Sequence, residues 1–156
     1  MGKLEAVGDF PMRIAAVADV ALIEQCAREA YAMYVERMGR EPAPMVADFA
    51  SAVHSGTVWV AEHAAQVAGY VVFYRRGDHI HLENVAVCVR FQGQGVGRQM
   101  LRHVERTAGQ LGCVAVELYT NAKMSENLAM YPRFGYLQTD QRWEDGFERV
   151  FFRKTL

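Results

Sequence analysis

The sequence predicts a mixed α+β domain, and three observations carry this prediction. The chain has 156 residues, of which 51% are hydrophobic and 22% charged, close to the soluble globular averages of roughly 45–50% and 25%. Residues 57–89 are rich in Val, Ile, Tyr and Phe and are broken by short polar or glycine-bearing turns, which is typical of an antiparallel meander. Residues 95–111 repeat apolar side chains at helical spacing, which indicates an amphipathic helix. A run of consecutive strands, followed by a half in which helices and strands alternate, favours a mixed sheet.

The first third of the chain predicts one strand and two helices. Residues 1–11 have no clear period and are expected to form an N-terminal extension that could be disordered, before a single domain at 12–156. A strand is expected at 12–16. Asp19 is a candidate N-cap for a helix that ends at Gly39, because apolar residues recur at helical spacing between them. A connector containing two prolines at 41–44 leads to a second helix at about 45–53, because proline stiffens the chain.

The rest of the chain predicts six more strands and two more helices. The strands are expected at 57–62, 67–75, 79–89 and 114–120 and in a closing hairpin at 136–143 and 147–154, which turns at Asp145-Gly146. The helices are expected at 95–111 and 125–133, and each is followed by a glycine. The prediction is therefore about seven strands and about four helices.

The charge balance and cysteine content exclude several classes of protein. A formal net charge of −1 gives no single-sign field for nucleic acid or an anionic membrane surface, so neither is expected as a partner. No apolar run approaches the ~18 residues of a membrane-spanning helix, and the N-terminus does not resemble a signal peptide. Three widely spaced cysteines, at positions 26, 88 and 113, fit neither a disulfide framework nor a zinc site. No metal is expected, and the predicted location is cytoplasmic.

A glycine-rich loop is the densest chemical signal in the sequence. It stands between a predicted strand and the helix at 95–111, and its residues are Gln92, Gly93, Gln94, Gly95, Val96, Gly97 and Arg98. Glycines allow close approach of the backbone, and the N–H groups of the first helical turn attract an anion. The Gly-Lys-Ser/Thr of a Walker loop is absent, and the spacing is not the G-x-G-x-x-G of a dinucleotide fold. The diphosphate of coenzyme A and a plain strand-to-helix turn remain open.

Two segments together resemble the GNAT N-acetyltransferase superfamily. The residues 83–87 (ENVAV), followed by Gln92-x-x-Gly95-x-Gly97, are similar to its acetyl-CoA signature. Asn121, the run 126–128 (ENL), Tyr131 and 134–136 (FGY) are similar to its downstream segment. The predicted element order also fits this fold, so the resemblance covers residues 12–156. It implies a mostly antiparallel twisted sheet whose fourth and fifth strands splay apart at the acetyl-CoA site.

The resemblance also implies which residues hold the cofactor. Pantetheine is expected to pair like an added strand with Val85, Ala86 and Val87, opposite the strand at 114–120. The diphosphate is expected at the glycine loop, from Gln92 to Arg98. Asn121, and Asn127 and Tyr131 on the following helix, are expected to close the other side.

Acetyl transfer from a thioester to an amine requires a base, an oxyanion donor and a proton for the departing sulfur. Glu83 is the candidate base, since on an alternating strand it shares a face with His81 and Val85. A backbone N–H of Val85 or Val87 is the candidate oxyanion donor. Tyr131 matches the family's frequent tyrosine acid. Pro132 follows it inside the helix and could displace it.

The acceptor site is expected to involve the first two helices and their connector. The candidate substrate-binding residues are Tyr31, Tyr34, Arg37, Arg40 and His81. The sequence therefore predicts an acetyl-CoA-dependent N-acetyltransferase in which a primary amine, on a small molecule or a peptide, attacks directly in a ternary complex. A non-catalytic CoA-binding domain and a transferase for longer acyl groups remain alternatives. Aromatic residues in the last hairpin suggest a homodimer.

Overall fold

The computed structural model describes residues 9–156, and residues 1–8 lie outside the described part. The strands are β1 (Met12–Ile14), β2 (Val58–His63), β3 (Gln66–Arg76), β4 (His79–Val87), β5 (Ala115–Asn121), β6 (Leu137–Glu144) and β7 (Phe147–Thr155). The helices are α1 (Val20–Tyr31), α2 (Met33–Met38), α3 (Phe49–His54), α4 (Val96–Gln110) and α5 (Ser125–Arg133).

The seven strands form one sheet in the order β1-β2-β3-β4-β5-β7-β6. The ladders of β1 with β2, β2 with β3, β5 with β7, and β6 with β7 are antiparallel, whereas β4 and β5 are parallel. This arrangement confirms the prediction of a mixed α+β fold with a mostly antiparallel sheet. None of the helices described in residues 9–156 is long and apolar enough to cross a membrane.

The described chain forms two compact units. Unit 1 comprises the chain up to Val72 together with Asn84–His103, and unit 2 comprises Phe73–Glu83 and Val104–Leu156. The core of unit 1 contains the fully buried Ile23, Val60 and Met100. Its strands also meet closely, since a Cβ added to Gly69 would lie 2.8 Å from the carbonyl oxygen of Ala86.

Unit 2 has a core of aromatic and aliphatic side chains around a buried tyrosine. Tyr136 is fully buried, and its hydroxyl donates to the Oε2 atom of Glu105 at 3.0 Å. The Nζ atom of Lys154 donates to the other carboxylate oxygen of Glu105, also at 3.0 Å. Burial and the nearby carboxylate raise the pKa of Tyr136 above its usual range, so the hydroxyl stays protonated as the donor in this network.

The first predicted helix is interrupted in the structure. The chain turns at Ala32, so the expected single helix becomes α1 and α2, which ends at Gly39 with a φ of 74°. Asp19 stands at the N-cap position of α1, as predicted, but its side chain makes no capping hydrogen bond to that helix. Its carboxylate instead accepts from the N–H of Ala16 at 2.7 Å and from Arg13 at 2.8 and 2.9 Å, and it therefore closes the short 3₁₀ turn before the helix.

The second predicted helix begins later than expected. Residues Ala43–Met45 form a 3₁₀ turn after Pro42, and α3 begins at Phe49, where the carboxylate of Asp48 accepts from the N–H of Ser51 at 3.0 Å. The third strand of the meander also ends earlier, at Val87, because a 3₁₀ turn follows it at Val89–Phe91.

Packing begins before the boundary expected at residue 12. Phe10 is 1% exposed, and its N–H donates to the Oε1 atom of Gln99 at 3.0 Å. The carbonyl of Pro11 accepts from the N–H of Glu62 at 2.9 Å. Phe10 and Pro11 are therefore part of unit 1 rather than of a frayed extension. The rest of that expected extension, residues 1–8, lies outside the described residues.

Candidate functional site

The predicted glycine loop has the backbone geometry that only glycine adopts readily. Gly93 and Gly95 have φ values of 80° and 86°, in the left-handed region that strains other residues. The side chain of Gln92 donates to the carbonyl of Val87 at 3.3 Å, and that of Gln94 donates to the carbonyl of Arg90 at 3.4 Å. The two glutamines thus fasten the loop to the chain that precedes it.

The loop opens directly onto α4. The N–H of Gln99 donates to the carbonyl of Gly95 at 3.1 Å, which makes Gly95 the residue at the helix start. The N–H groups of a first helical turn have no acceptor within the helix, and the helix dipole places partial positive charge there. The space beside these N–H groups is open at Gly97, because a Cβ added to that residue would meet only the Cγ2 atom of Val87, at 3.7 Å. This end of α4 is chemically suited to a diphosphate.

The segment of β4 that precedes the loop carries a buried polar cluster. Asn84 is buried, and its Oδ1 atom accepts from the hydroxyls of Tyr70 at 3.0 Å and Tyr31 at 3.3 Å. The same Tyr31 hydroxyl hydrogen is shared with the carbonyl of Val85, which is the nearer acceptor at 2.9 Å. The cluster fixes the backbone at Val85, where the resemblance expects pantetheine. The carbonyl oxygen of Val85 accepts from one hydroxyl in this cluster and keeps a second lone pair.

The acceptor-site candidates of unit 1 divide into two buried tyrosines and two exposed arginines. Tyr31 and Tyr34 are buried, with ring centroids 6.1 Å apart. The guanidinium of Arg37 lies 5.4 Å from the ring centroid of Tyr34, and both Arg37 and Arg40 are exposed. Tyr31 therefore serves as a support for β4, whereas the arginines are available to solvent.

Unit 2 carries an aromatic row on one face of its sheet, which we call the aromatic face. It consists of Tyr74, His81, Tyr119 and Phe151, with successive ring centroids 5.5, 5.8 and 5.5 Å apart. Arginines cover its far end.

The guanidinium of Arg149 lies 4.3 Å from the ring of Tyr119, and that of Arg142 lies 4.0 Å from the ring of Phe151. Tyr119 remains 37% exposed, so the row is partly open to a ligand.

Glu83, the candidate base, is exposed at the edge of the aromatic face. Its Oε1 atom accepts from the hydroxyl of Tyr74 at 3.3 Å, and that hydroxyl in turn accepts from Arg76 at 3.0 Å. Burial and the carboxylate of Glu83 raise the pKa of Tyr74. The Glu83 carboxylate is thus reachable by a water or an amine, as a base must be.

His81 is the only acceptor-site candidate in unit 2, and it is buried. Burial, followed by the positive charges of Arg76 and His79, lowers its pKa to about 4. The imidazole is therefore neutral near neutral pH and carries no charge for a substrate carboxylate.

The parallel ladder of unit 2 is short. It pairs His79 to His81 with Ala115 to Glu117. Within this unit β4 continues to Glu83 and β5 to Asn121. Among the residues described, no pairing of these two strands continues the ladder past His81 and Glu117 in this unit.

Helix α5 carries the candidate acid Tyr131, which the proline beside it does not expel from the core. Pro132 lies in the last turn, and the helix continues to Arg133. Tyr131 is buried, with its ring 5.8 Å from that of Tyr136 and 5.6 Å from that of Phe152.

The two candidate asparagines both have partners within unit 2. The side chain of Asn127 donates to the hydroxyl of Thr120 at 3.4 Å, and that of Asn121 accepts from the N–H of Lys123 at 2.9 Å. Both therefore help to hold the turn that leads into α5.

The comparison with known families decides the identity of this fold. A model described as "Acetyltransferase (GNAT) family" matches residues 21–136, which is most of the chain and includes the loop and α5. The chain belongs to the GNAT acetyltransferase family. The resemblance seen in the two sequence segments is thereby confirmed.

Three relatives show how far the similarity extends. The rat protein N-acetyltransferase 8F1 is 28% identical over 107 residues, which is 65% of this chain and 48% of that one, so this chain spans about half of its length. A PaiA N-acetyltransferase from Thermoplasma acidophilum, solved with coenzyme A, is 13% identical, with a TM-score of 0.82 over 96% of this chain and 100% of that one. The ribosomal-protein-S18-alanine N-acetyltransferase from Escherichia coli is 19% identical, with a TM-score of 0.72 over 93% and 92%.

The structure divides the predicted site residues between the two units. Unit 1 contains Val85, Ala86, Val87, the loop Gln92 to Arg98, Tyr31, Tyr34, Arg37 and Arg40, and unit 2 contains His81, Glu83, Asn121, Asn127 and Tyr131. Sequence reasoning missed the role of Asn84 as the acceptor for two tyrosines, and it missed the aromatic face. The alternation of strand residues places Tyr119 on the face of Glu117, which was an available signal.

Proposed function

We propose that this GNAT protein is an acetyl-CoA-dependent N-acetyltransferase that transfers the acetyl group to a primary amine by direct attack in a ternary complex. One observation carries the proposal: the loop at 92–98, with two left-handed glycines, opens onto the N-terminus of α4 in a chain of this family. An anion-binding backbone of this kind suits the diphosphate of coenzyme A. The Thermoplasma acidophilum relative, which shares the fold, was solved with coenzyme A.

In this proposal the backbone binds the cofactor and side chains carry the chemistry. Residues 92–98 hold the diphosphate, and pantetheine adds along Val85 to Val87. Asn121 and Asn127 are proposed as further cofactor-binding residues. A backbone N–H of Val85 or Val87 donates to the oxyanion. The hydrogen bonds of Tyr31 to Asn84 and Val85 support that segment, because they fix its backbone before the cofactor arrives.

Glu83 is proposed as the general base. An alkylammonium has a pKa near 10 and must lose a proton before it attacks the thioester. The exposed Glu83 carboxylate, with a single hydrogen bond from Tyr74 among the described residues, can take that proton directly or through water. The amine nitrogen then forms the new N–C bond, the C–S bond breaks, and the Tyr131 hydroxyl gives a proton to the departing sulfur.

The acceptor is proposed to lie against the aromatic face. Its rings can contact an apolar or cationic amine, and Glu83 borders it. Arg37 and Arg40 stay predicted contacts for a substrate that carries a carboxylate. The Escherichia coli relative is named for acetylating an alanine of a ribosomal protein, so both small amines and peptide amines belong in the panel of acceptors tested.

The test combines binding with turnover in two variants of Gly97. Gly97→Glu places a carboxylate at the helix start, and Gly97→Gln is its matched neutral control. The position tolerates a side chain, since a Cβ meets only Val87 at 3.7 Å, whereas Gly95 has a φ of 86° that would strain the loop. Calorimetry with acetyl-CoA is expected to show at least about a tenfold weaker Kd for Gly97→Glu than for Gly97→Gln, or about 1.4 kcal/mol.

Thiol release over a panel of amines then tests the transfer itself. We expect release by the native protein that depends on both acetyl-CoA and an amine. Equal affinities in the two Gly97 variants would contradict the loop assignment. Tight acetyl-CoA binding without thiol release for any amine would instead favour a non-catalytic CoA-binding domain.

We also propose a homodimer and a cytoplasmic location. Strand β6 is at the end of the sheet, and its Leu137 and Trp143 are 72% and 71% exposed, which favours a partner on that edge. Light scattering is expected to give twice the monomer mass, and Trp143→Lys is expected to restore the monomer. The free thiols of all three cysteines suit a reducing compartment.

A further inference from the structure

Unit 1 contains a groove that no step of the proposed transfer uses. Its volume is about 720 Å³, and α1, the turn between β2 and β3, and the chain after β4 line it. This volume falls within the roughly 300–1,000 Å³ that is usual for small-molecule sites. Two cysteines, Cys26 of α1 and Cys88 at the end of β4, both face the groove. We call it the dithiol groove.

The two thiols line the same groove, and each affects the ionisation of the other. The Sγ atom of Cys88 donates to the carbonyl of Val67 at 3.4 Å. Cys26 is 2% exposed, whereas Cys88 is half-buried. An incoming reagent therefore meets Cys88 first.

The surroundings favour the thiolate of Cys88 over that of Cys26. Interaction with the Cys26 thiol is the largest cause that lowers the pKa of Cys88, and the positive charge of Arg90 adds to it. Interaction with the Cys88 thiol, followed by burial, raises the pKa of Cys26. The carboxylate of Glu29 opposes ionisation of both. The thiolate is the nucleophile in disulfide exchange, so the reactive sulfur is that of Cys88.

The polar groups of the groove match a charged, peptide-like molecule. Arg90 can take a carboxylate and Glu29 an ammonium group, while the amides of Gln25 and Gln66 can pair with peptide groups. Oxidised glutathione combines all of these groups with a disulfide.

We propose that the dithiol groove is a thiol-modification site that binds a low-molecular-weight disulfide such as oxidised glutathione, with Cys88 as the attacking thiol and Cys26 as the resolving thiol. The Cys88 thiolate attacks one sulfur of the disulfide, a mixed disulfide forms, and one glutathione leaves and takes up a proton. The sulfur of Cys26 loses its proton and attacks the Cys88 sulfur of that mixed disulfide. The second glutathione leaves, again as a thiol.

The two steps balance in electrons and protons. The protein loses two hydrogens and gains the Cys26–Cys88 disulfide, while oxidised glutathione gains two hydrogens and becomes two molecules of reduced glutathione. The disulfide ties α1 to the end of β4. The residue tied there, Cys88, donates its N–H to Ala68 at 2.8 Å and accepts from the N–H of Phe91 at 2.8 Å, so the link lies on the chain that leads into the loop at 92–98.

The experiment treats the reduced protein with oxidised glutathione and follows intact mass and peptide maps. The native protein is expected to lose two hydrogens and to give a Cys26–Cys88 peptide pair. Cys26→Ser is expected to stop at a stable adduct of one glutathione on Cys88. Cys88→Ser is expected to react with oxidised glutathione at about one tenth of the native rate, or more slowly still. Cys113→Ser removes the buried cysteine of unit 2 and is the matched control, expected to behave as the native protein.

Three results would overturn the proposal: no internal disulfide in the native protein, a native rate in Cys88→Ser, or an adduct mainly on Cys113. Circular dichroism checks that each variant folds, and Cys26→Ala replaces Cys26→Ser if the buried hydroxyl prevents folding. Treatment in denaturant is expected to remove the selectivity for Cys88. These readouts do not depend on acetyl transfer, so they stand apart from the test of the proposed function.

Discussion

The loop at 92–98 and the aromatic face offer different chemical groups to a ligand. The loop offers its backbone: two glycines with positive φ aim the chain, and the first turn of α4 supplies N–H groups. The aromatic face offers side chains, with rings from β3, β4, β5 and β7 and arginines over them. A backbone site requires particular residues in order to form at all, whereas a face built of side chains can change its residues while the strands stay the same.

This difference separates the effects expected of substitutions. Changes on the aromatic face are expected to alter turnover, while changes in the loop are expected to alter affinity for the cofactor.

The largest effect is expected from Glu83→Gln. The amide keeps the shape but cannot accept a proton, so turnover near neutral pH is expected to fall by ~10²–10⁴-fold. Partial recovery is expected at alkaline pH, where the free amine is already neutral. The pH–rate profile of thiol release measures this. Tyr74→Phe is the control, since it removes the hydrogen bond to Glu83 but leaves the carboxylate that acts as the base. A pH–rate profile of Glu83→Gln that overlays the native profile would exclude Glu83 as the base.

Tyr131→Phe is expected to lower turnover on the same scale of ~10²–10⁴-fold, with little change in acetyl-CoA affinity. The ring packs against Tyr136 and Phe152 in both forms, so only the hydroxyl is lost. Calorimetry and thiol release together measure the two quantities. Weaker binding with native turnover would mean that the hydroxyl positions the cofactor and is not the acid.

His81 is expected to make stability depend on pH. Its pKa is about 4 in the folded protein and ~6.5 when unfolded, so the unfolded chain binds the proton first as the pH falls. The contribution is fully present above pH ~6.5 and is lost towards pH ~4, by up to about 3 kcal/mol. Urea unfolding at several pH values in this range measures the free energy of unfolding. This free energy is expected to change less with pH in His81→Phe than in the native protein.

His54→Gln, at an exposed histidine of α3, is the control and is expected to keep the native dependence of the free energy of unfolding on pH. The native dependence in His81→Phe would show that the depressed pKa of His81 is not the cause of acid sensitivity.

The smallest effect compares two glycines of α4. The new Cβ of Gly97→Ala would have one ordinary contact, at 3.7 Å, and that of Gly109→Ala would lie in open space. Each variant is therefore expected to raise the free energy of unfolding by up to about 1 kcal/mol. Only Gly97→Ala is expected to weaken acetyl-CoA binding, because only the first turn approaches the diphosphate. Equal loss of affinity in both variants would mean that α4 acts as a whole rather than through its N-terminus.

The same contrast explains what the sequence could predict. The loop was predictable because positive φ values at 93 and 95 need glycine, so a backbone site leaves a spacing pattern in the sequence. The aromatic face was not predictable as a whole, because its rings come from four strands: alternation places a residue on a face of its own strand, but no local pattern relates Tyr74 to Phe151. Asp19 satisfied the rule for a helix cap, yet Arg13 and the N–H of Ala16 bind its carboxylate. Tertiary partners of this kind are invisible to local patterns.

The account rests most directly on contact between coenzyme A and the backbone of residues 93–98. Amide hydrogen exchange of the native protein, measured with and without saturating coenzyme A, reports on those N–H groups themselves. We predict that exchange at 93–98 slows on binding more than exchange at 20–31, where α1 lines the dithiol groove. Coenzyme A that binds without protecting 93–98, or that protects 20–31 most strongly, would contradict the account.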